Sequence, residues 1–334
     1  MAVVLARDAP ARGARIRQRA LGSAAVAVLL LLPLAGNAYA VLTVTAALAL
    51  GLFALSYDLV LGVTGLISVS HATLFGVGAY GMAIGMTELG YGFWTSTAVG
   101  LAAAGAVAWL IGFFSLRTSG AGFIIVTIIF AHSFEIIANR WTALTGGENG
   151  IVLHLGAISL LPGVAIRVAP GSPSLYYAVV FCLLAALWAA RALVASPFGL
   201  VLRAISRNEV RAQALGYPVA RYKIILNVLA GVLAAVAGIL FAISQGFVSV
   251  DLLRVLLSIE VVVWTILGGP GTLIGPVAAA VLFTLLLEYV RGLTQHYLIF
   301  VGLVTLAVIV FVPQGLAGIV GRMLQPVKPV REQE

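Results

Sequence analysis

The stretch that decides the fold runs AVLTVTAALALGLFALSYDLVLG and covers residues 40–62. Its only charged residue is Asp58. The hydrocarbon core of a bilayer is about 30 Å thick, and a helix needs about 20 apolar residues to cross it. Backbone N–H and C=O groups find no water there, so such a run has to satisfy them internally as a helix. Residues 40–62 are therefore predicted to span a membrane.

Similar apolar runs recur on both sides of this stretch. The composition agrees, since 62% of the 334 residues are hydrophobic and 9% are charged, against about 25% charged in soluble proteins. This excludes a water-soluble enzyme, a disordered chain and a fibrous protein. We predict an all-α polytopic membrane protein with a basic tail at 1–20, a transmembrane domain at 21–321 and a second tail at 322–334. About ten spans are predicted, with a range of eight to eleven because the eighth and ninth are short: 21–37, 40–62, 73–88, 94–115, 121–138, 174–194, 223–245, 256–267, 276–290 and 296–312.

The positive charges indicate the orientation of these spans. With the N-terminus inside, the inner connectors hold fifteen arginines and lysines, and the outer connectors hold four: Arg140, Arg167, Arg254 and Arg291. Cytoplasmic connectors of membrane proteins carry the excess of Lys and Arg, so both termini are predicted to be inside. This rule accounts for the net charge of +8, and no nucleic-acid partner is expected.

The first apolar run has a second interpretation. Arginines precede it and Ala38-Tyr39-Ala40 follows it, a pattern that resembles a secretory signal peptide cleaved after a small residue. An uncleaved first span is favoured because another apolar run follows at once. Val41 lies outside in both cases, so the remaining topology is unchanged.

The sequence lacks the motifs that several enzyme classes need. A Walker A loop requires Gly-Lys-Ser/Thr, and neither lysine, Lys223 or Lys328, follows a glycine. The four histidines, at 71, 132, 154 and 296, are scattered and lack metal-ligand spacing. The single cysteine, Cys182, cannot form an intrachain disulfide. We expect no catalytic residue, no metal and no cofactor in this chain.

The longest inner connector, 195–222, predicts a helix of its own. Ser196 is a natural N-cap with Pro197 at the first helical position, and Gly216 is placed to end the helix in the left-handed conformation. Such a helix can lie in the lipid headgroups, dock into a groove on another protein, or be a solvated connector. Apolar residues repeat on one face and arginines on another: Leu202, Ile205, Ala212 and Leu215 against Arg203, Arg207 and Arg211.

Glycine-rich breaks follow two of the spans. One is Gly62-Val-Thr-Gly65, and the other is Gly268-Gly-Pro-Gly271, followed by Gly275-Pro276. Such breaks are tolerated where protein or a water-filled cavity covers the backbone. One in each half of the chain suggests an internal repeat whose interface forms a pathway. Close packing of small residues explains them equally well.

Polar residues within the spans form a further candidate feature. His132, Glu135 and Asn139 make one stripe on the fifth span, which runs into the outer segment 142–150 and suits the mouth of a pathway. A satisfied interhelical contact explains each residue equally well when taken singly. Intramembrane acids are costly and face the bundle interior, and four lie within or beside spans: Asp58, Glu135, Glu260 and Glu288.

Taken together, the motifs resemble one family, the permease subunits of branched-chain amino-acid ABC importers, in its LivM branch. The matching pieces appear in the family's order: LGVTGLISVSHATLFGVGAY at 61–80, TGGENGI at 145–151, SPFG at 196–199, scattered matches between Arg203 and Gly216, GGPGTLIGP at 268–276 and PQGLAG at 313–318.

The resemblance implies a permease of the bacterial inner membrane that pairs with a homologous second permease of the LivH branch. Two cytoplasmic ATPase subunits would use ATP and Mg²⁺ to drive transport, and a periplasmic solute-binding protein would deliver the solute. The segment 197–216 would then be the coupling helix, docking on an ATPase through Arg203, Arg207, Glu209, Arg211, Ala212 and Gly216. The implied translocation pathway passes Asp58, His71, Gly76, Tyr80, His132, Glu135, Asn139, Thr145, Gly146, Gly147 and Asn149.

One departure from the family affects the expected solute. Many members carry Glu-x-x-Arg where this chain has His132-Ser-Phe-Glu135, which removes a cation that could meet a carboxylate. The solute is expected to be a branched-chain amino acid or a related small polar molecule such as urea or a short amide. The alternative function is an ion-coupled secondary transporter that uses Asp58, Glu135 and His71.

Overall fold

The computed structural model describes residues 37–293, except 119, 154–156, 162, 163 and 168, together with the single residues 33 and 302. The predicted first and tenth spans lie outside the described residues, apart from residues 33, 37 and 302. Both predicted tails lie outside them as well.

Helices occupy the eight remaining predicted spans, with boundaries within four residues of those predicted. Among the described residues, six helices are long and apolar enough to cross a membrane, namely α1, α3, α4, α6, α9 and α11, whereas α2 has 17 residues and α10 has 14. The chain is a polytopic, mainly α-helical membrane protein. Its described α-helices are α1 Ala38–Thr64, α2 His71–Thr87, α3 Phe93–Ser115, α4 Ala121–Arg140, α5 Thr142–Thr145, α6 Pro173–Ala195, α7 Pro197–Arg207, α8 Glu209–Ala214, α9 Val219–Gln245, α10 Val255–Gly268 and α11 Ile274–Leu293.

Short strands, which the sequence did not predict, occur in two connectors. Strand β1, Ile151–Val152, pairs antiparallel with β4, Phe247–Val248. Strand β2, Ala157–Leu161, pairs antiparallel with β3, Val164–Arg167. Backbone groups of extended segments need partners once they leave a helix, and strand pairing supplies them. The β1–β4 pair joins the connector after α5 to the connector after α9.

Helix α1 is the centre of the bundle. It packs against α6, α9, α10 and α11, while α9 also packs against α2 and α3. Asn37 caps its start, since the side-chain oxygen accepts hydrogen bonds from the backbone N–H groups of Tyr39 and Ala40. Gly65 ends it with φ +74° and donates its N–H to Leu61. The middle of α1 is apolar on every face, which is typical of a helix surrounded by others, and Leu52 and Phe53 are fully buried.

The connectors gather at two ends of the bundle because successive long helices alternate in direction. At one end, here called the basic end, the turn after α1 lies beside α7, with Gly65 next to Ser206. At the other end, called the strand end, Gly171 lies against Ala38 and Gly246 against Pro170. Seven basic residues lie in or beside the connectors of the basic end: Arg117, Arg191, Arg203, Arg207, Arg211, Arg221 and Lys223.

Glycines allow α2 and α3 to cross in backbone contact. A Cβ atom built on Gly100 would lie 2.5 Å from the carbonyl oxygen of Gly78 and 3.0 Å from the nitrogen of Met82. A Cβ atom on Gly81 would lie 2.6 Å from the Cα of Gly100. Small residues permit this approach in membrane bundles, where packing takes the place of the hydrophobic effect.

We expect Gly100→Val to force these two helices apart. Overpacking of this kind typically lowers the free energy of unfolding by about 1–3 kcal/mol, which thermal unfolding in detergent would measure. The control is Gly92→Ala, because Gly92 has φ −64° and a Cβ atom there would meet nothing within 4 Å. Equal melting temperatures for the two variants would contradict the close crossing.

Candidate functional site

The predicted helix 197–216 is two helices, which corrects the sequence prediction. Asn208 leaves the helical conformation, with φ −161° and ψ 98°, and its side-chain oxygen accepts a hydrogen bond of 2.8 Å from the N–H of Arg211. Asparagine competes with the helical backbone in this way and caps a new helix instead. Both predicted ends are confirmed, since Ser196 caps the N–H of Gly199 and Gly216 has φ +86°.

The buried face of α7 and α8 attaches this helix pair to the bundle. Leu202 packs into the main core, and Ile205, Ala212 and Val219 form a small cluster of their own. The resemblance implied that Ala212 allows close approach of an ATPase. The structure instead buries its side chain against this chain.

Two of the charged residues make contacts within the chain. The guanidinium of Arg203 donates a hydrogen bond of 2.7 Å to the carbonyl of Val194, at the end of α6. This position is favourable because the C-terminus of a helix attracts a cation. Lys223 Nζ lies 2.7 Å from a carboxylate oxygen of Glu209. These contacts connect α7 to α6 and α8 to α9.

The exposed face of the same helices forms a groove of about 220 Å³, here called the basic groove. Arg207 and Arg211 line it and are exposed. Bulky apolar side chains are exposed beside them, with Val210 at 76% and Leu215 at 72%. Arginine next to exposed apolar groups is typical of a protein interface and is unfavourable for a merely solvated connector. The lining residues are Val201, Ala204, Arg207, Asn208, Arg211, Ala212, Leu215 and Tyr217.

Asp58, a predicted pathway residue, holds the second glycine break closed. One carboxylate oxygen accepts a hydrogen bond of 2.7 Å from the N–H of Gly271, and the other accepts one of 2.9 Å from the N–H of Leu273. Gly62 packs so closely on Gly271 that any Cβ atom there would overlap its backbone. The two breaks, predicted as parts of a pathway interface, therefore contact each other, and close packing explains them.

His71, Gly76 and Tyr80 are also buried in packed protein. His71 Nε2 lies 2.9 Å from the hydroxyl of Ser56, and its ring stacks on Phe53. Gly76 packs against Leu253, where a Cβ atom would lie 2.7 Å from the Leu253 Cγ. This part of the predicted pathway is a core contact between α1, α2 and the connector after α9.

The polar stripe on α4 is only partly exposed, because the side chain of Glu135 is 20% exposed and therefore largely covered. His132 is 59% exposed, and its Nδ1 lies 3.3 Å from a carboxylate oxygen of Glu135. Asn139, next along the stripe, is partly exposed. His132 is exposed because α4 lies at the edge and buries only a few residues: Phe123, Thr127, Ala131 and Ala138.

The outer segment that follows α4 is a tight turn. The hydroxyl of Thr145 donates to the carbonyl of Ala138 at 2.5 Å and accepts from the N–H of Gly147 at 3.2 Å. Gly146 and Gly147 have φ +72° and +58°, a conformation that glycine adopts most readily. Asn149 is exposed on this turn. These residues order the connector that leads into β1.

A cavity of about 590 Å³, which the sequence did not predict, lies among α1, α2, α9, α10 and α11 near the strand end. We call it the bundle cavity. None of the predicted pathway residues lines it. The intramembrane acids Glu260 and Glu288 do line it, and their cost in a membrane was the signal that could have found it. The remaining walls come from helices far apart in sequence.

Comparison with known proteins decides the family. A family model described as "Branched-chain amino acid transport system / permease component" matches residues 39–313. The chain belongs to this family. The resemblance seen in the sequence motifs is therefore confirmed, and the protein is a membrane permease component of a transport system.

Two curated relatives of this permease are the LivM proteins of Escherichia coli (strain K12) and Salmonella typhimurium (strain LT2), each called a high-affinity branched-chain amino acid transport system permease protein. The permease is 28% identical to each over 280 residues. The alignment covers 78% of the permease and 66% of each relative's own length. No solved structure matches the chain.

Proposed function

We propose that this chain is the permease subunit of an ATP-binding-cassette importer in the bacterial inner membrane. It moves branched-chain amino acids or related small polar solutes. The observation that carries the proposal is the family match over residues 39–313. The names of the LivM relatives support the solute class.

The proposed assembly contains a homologous second permease of the LivH branch, two cytoplasmic ATPase subunits and a periplasmic solute-binding protein. Energy has to come from partners, since the chain has no Gly-Lys-Ser/Thr sequence for ATP phosphates. ATP and Mg²⁺ are then bound by the ATPase subunits. The edge helix α4, with its exposed isoleucines and polar stripe, offers a surface for the second permease.

The proposed orientation places the basic end in the cytoplasm, with ten spans and both termini inside. Seven basic residues beside the connectors of that end support it, including Arg117 and Arg221, because cytoplasmic connectors carry the positive excess. The basic groove then faces the ATPases, and the bundle cavity lies toward the periplasm.

The groove residues suggest how ATP binding moves the spans. An ATPase docked on Arg207, Arg211 and Leu215 would shift α7 and α8 as it closes. Arg203 would pass this movement to the end of α6 through its bond to Val194, and the pair of Glu209 with Lys223 would pass it to α9. Both helices pack against α1 at the bundle centre.

The geometry does not favour an ion-coupled secondary transporter. Of its three candidate groups, Asp58 lies in a hydrogen-bonded loop closure, His71 in a core contact, and Glu135 beside His132 on α4. They share no cavity in the part of the chain that the structure describes.

Uptake of radiolabelled leucine by cells that depend on this chain tests the proposal. We expect uptake to stop when ATP is depleted and to persist when an ionophore collapses ion gradients at constant ATP. The control strain lacks the chain. Uptake that collapses with the ionophore while ATP is unchanged would replace the importer with the secondary transporter.

A further inference from the structure

The bundle cavity has the composition of a small-molecule site. Its volume of about 590 Å³ lies within the range of about 300–1,000 Å³ that is typical of ligand pockets. Apolar side chains form most of its wall, and polar groups reach it from different helices. These include Gln245 on α9, Glu260 on α10 and Tyr39 on α1. The Tyr39 hydroxyl donates a hydrogen bond of 2.7 Å to the Glu288 carboxylate.

The acids of this cavity differ in how they are compensated. Glu288 lies 3.6 Å from Arg291 Nη1, and Asp251 lies 2.9 Å from Arg254 Nη1. Glu260 makes no hydrogen bond or ion pair within the described residues. The acids are Asp251, Glu260 and Glu288, and the cations are Arg254 and Arg291. The site therefore carries one carboxylate more than it has cations. A ligand with a positive group corrects this excess.

Two polar groups in the same wall have no hydrogen-bond partner among the described residues. Trp264 lines the cavity and is 2% exposed, yet its indole N–H has no partner among the described residues. The hydroxyl of Thr284, which also lines the cavity, is buried without a partner there too. Buried polar groups in folded proteins are almost always hydrogen-bonded. An indole N–H needs an acceptor, which an ammonium group lacks, so it is the acids and the aromatic rings that indicate a cationic ligand.

Aromatic rings make up the deeper wall. Trp264 and Phe283 have ring centroids 6.3 Å apart, and Phe75 and Phe241 have theirs 5.7 Å apart. Aromatic faces attract cations and bury alkyl groups. They provide no counter-charge for a carboxylate. The cavity therefore discriminates between the two charged ends that a small amphipathic solute can carry.

We infer that the bundle cavity binds a small primary ammonium ion with an apolar body, the ammonium group on Glu260 and the alkyl group against the aromatic wall. The α-ammonium end of leucine, isoleucine or valine has this chemistry, and this choice of solute rests on the proposed function. The ethanolamine headgroup of a lipid carries the same ammonium group. The permease itself, and not only a binding protein, then selects the solute.

The test uses the full chain purified into phosphatidylcholine nanodiscs and titrated by calorimetry. The probes are L-leucine, isopentylamine, which lacks the carboxylate, and 4-methylpentanoate, which lacks the ammonium group. We expect the two amines to bind and 4-methylpentanoate to bind at least about 30-fold more weakly, in line with the strength of hydrogen bonds to charged groups. This comparison needs no variant and is independent of folding defects.

Two variants locate the site. Glu260→Gln keeps the size of the side chain and should weaken leucine binding about tenfold or more, and Trp264→Leu removes an aromatic face that attracts the cation and should weaken it about threefold. The matched control is Glu135→Gln, on α4 and outside the lining of the bundle cavity. Thermal unfolding of each variant verifies its fold. Unchanged affinity in a folded Glu260→Gln protein would overturn the inference.

Other outcomes are equally decisive. Equal binding of 4-methylpentanoate, or no binding of any probe, would overturn the site. Loss of leucine binding when phosphatidylethanolamine is added would assign the cavity to a lipid headgroup. It would overturn the inference that the cavity binds a free solute. Absence of leucine binding in a chain that purifies with ATPases would remove this site and leave the proposed function intact. Leucine binding in nanodiscs, together with failure of any ATPase to co-purify with the chain from native membranes, would retain the site and remove the importer.

Discussion

Asp58→Leu is expected to lower the free energy of unfolding by about 1–3 kcal/mol or somewhat more, since it leaves the buried N–H of Leu273 unpaired and removes the partner of the part-buried N–H of Gly271. The Asp58 carboxylate accepts from the N–H of Gly271 at 2.7 Å and from that of Leu273 at 2.9 Å. The loop at residues 269–273 cannot move to bring these N–H groups to other partners, because Gly62 packs directly on Gly271. Thermal unfolding in detergent measures the loss.

Asp58→Asn provides the matched control. Its single amide oxygen can accept from one of the two N–H groups, so the destabilisation should be about half that of the leucine variant. Hydrogen exchange at residues 269–273 should accelerate in the same order. A leucine variant as stable as the parent, with leucine uptake lost, would contradict the structural role and return Asp58 to the pathway.

The double variant Arg207→Glu with Arg211→Glu is expected to weaken binding of an ATPase subunit on the order of 100-fold. Each arginine lines the basic groove and is exposed, and a charged contact at an interface contributes about 1.5–3 kcal/mol. Recovery of ATPase with the tagged chain, followed by titration of the purified subunits, measures the effect. Coupled leucine uptake should fall in parallel.

The control for this pair is Arg191→Glu with Arg221→Glu. It makes the same change in charge at the basic end, outside the groove-lining residues, so ATPase binding should be retained. If both pairs leave ATPase recovery unchanged and both reduce binding to anionic vesicles, the helices lie on lipid headgroups and the docking role is lost.

The helices were predictable because apolar runs report directly on membrane crossing. The span predicted at residues 40–62 matches α1 to within two residues at each end. Ser196 and Gly216 correctly predicted where the connector helices 197–216 begin and end. The break at Asn208 was not predicted, because its side chain could serve either a helix interior or a cap. Only the hydrogen bond to Arg211 decides between the two.

The sites were less predictable, because composition does not show which face of a helix is covered. The stripe at His132 and Glu135 suggested a pathway mouth, yet the structure exposes His132 and largely covers Glu135 beside it. Asp58 was identified as a costly buried acid, but its partners are backbone groups 213 and 215 residues away. Pairings over such distances in the chain leave no periodic signal in the sequence.

The central claim is that this permease works as one subunit of an ATP-driven importer. The most direct test is affinity purification of the tagged chain from its native membranes in mild detergent, with the co-purifying proteins identified by mass spectrometry. We predict stoichiometric recovery of a second, homologous permease and of ATPase subunits that carry Walker motifs. Recovery of the chain alone, intact and active in ion-driven uptake, would contradict the claim.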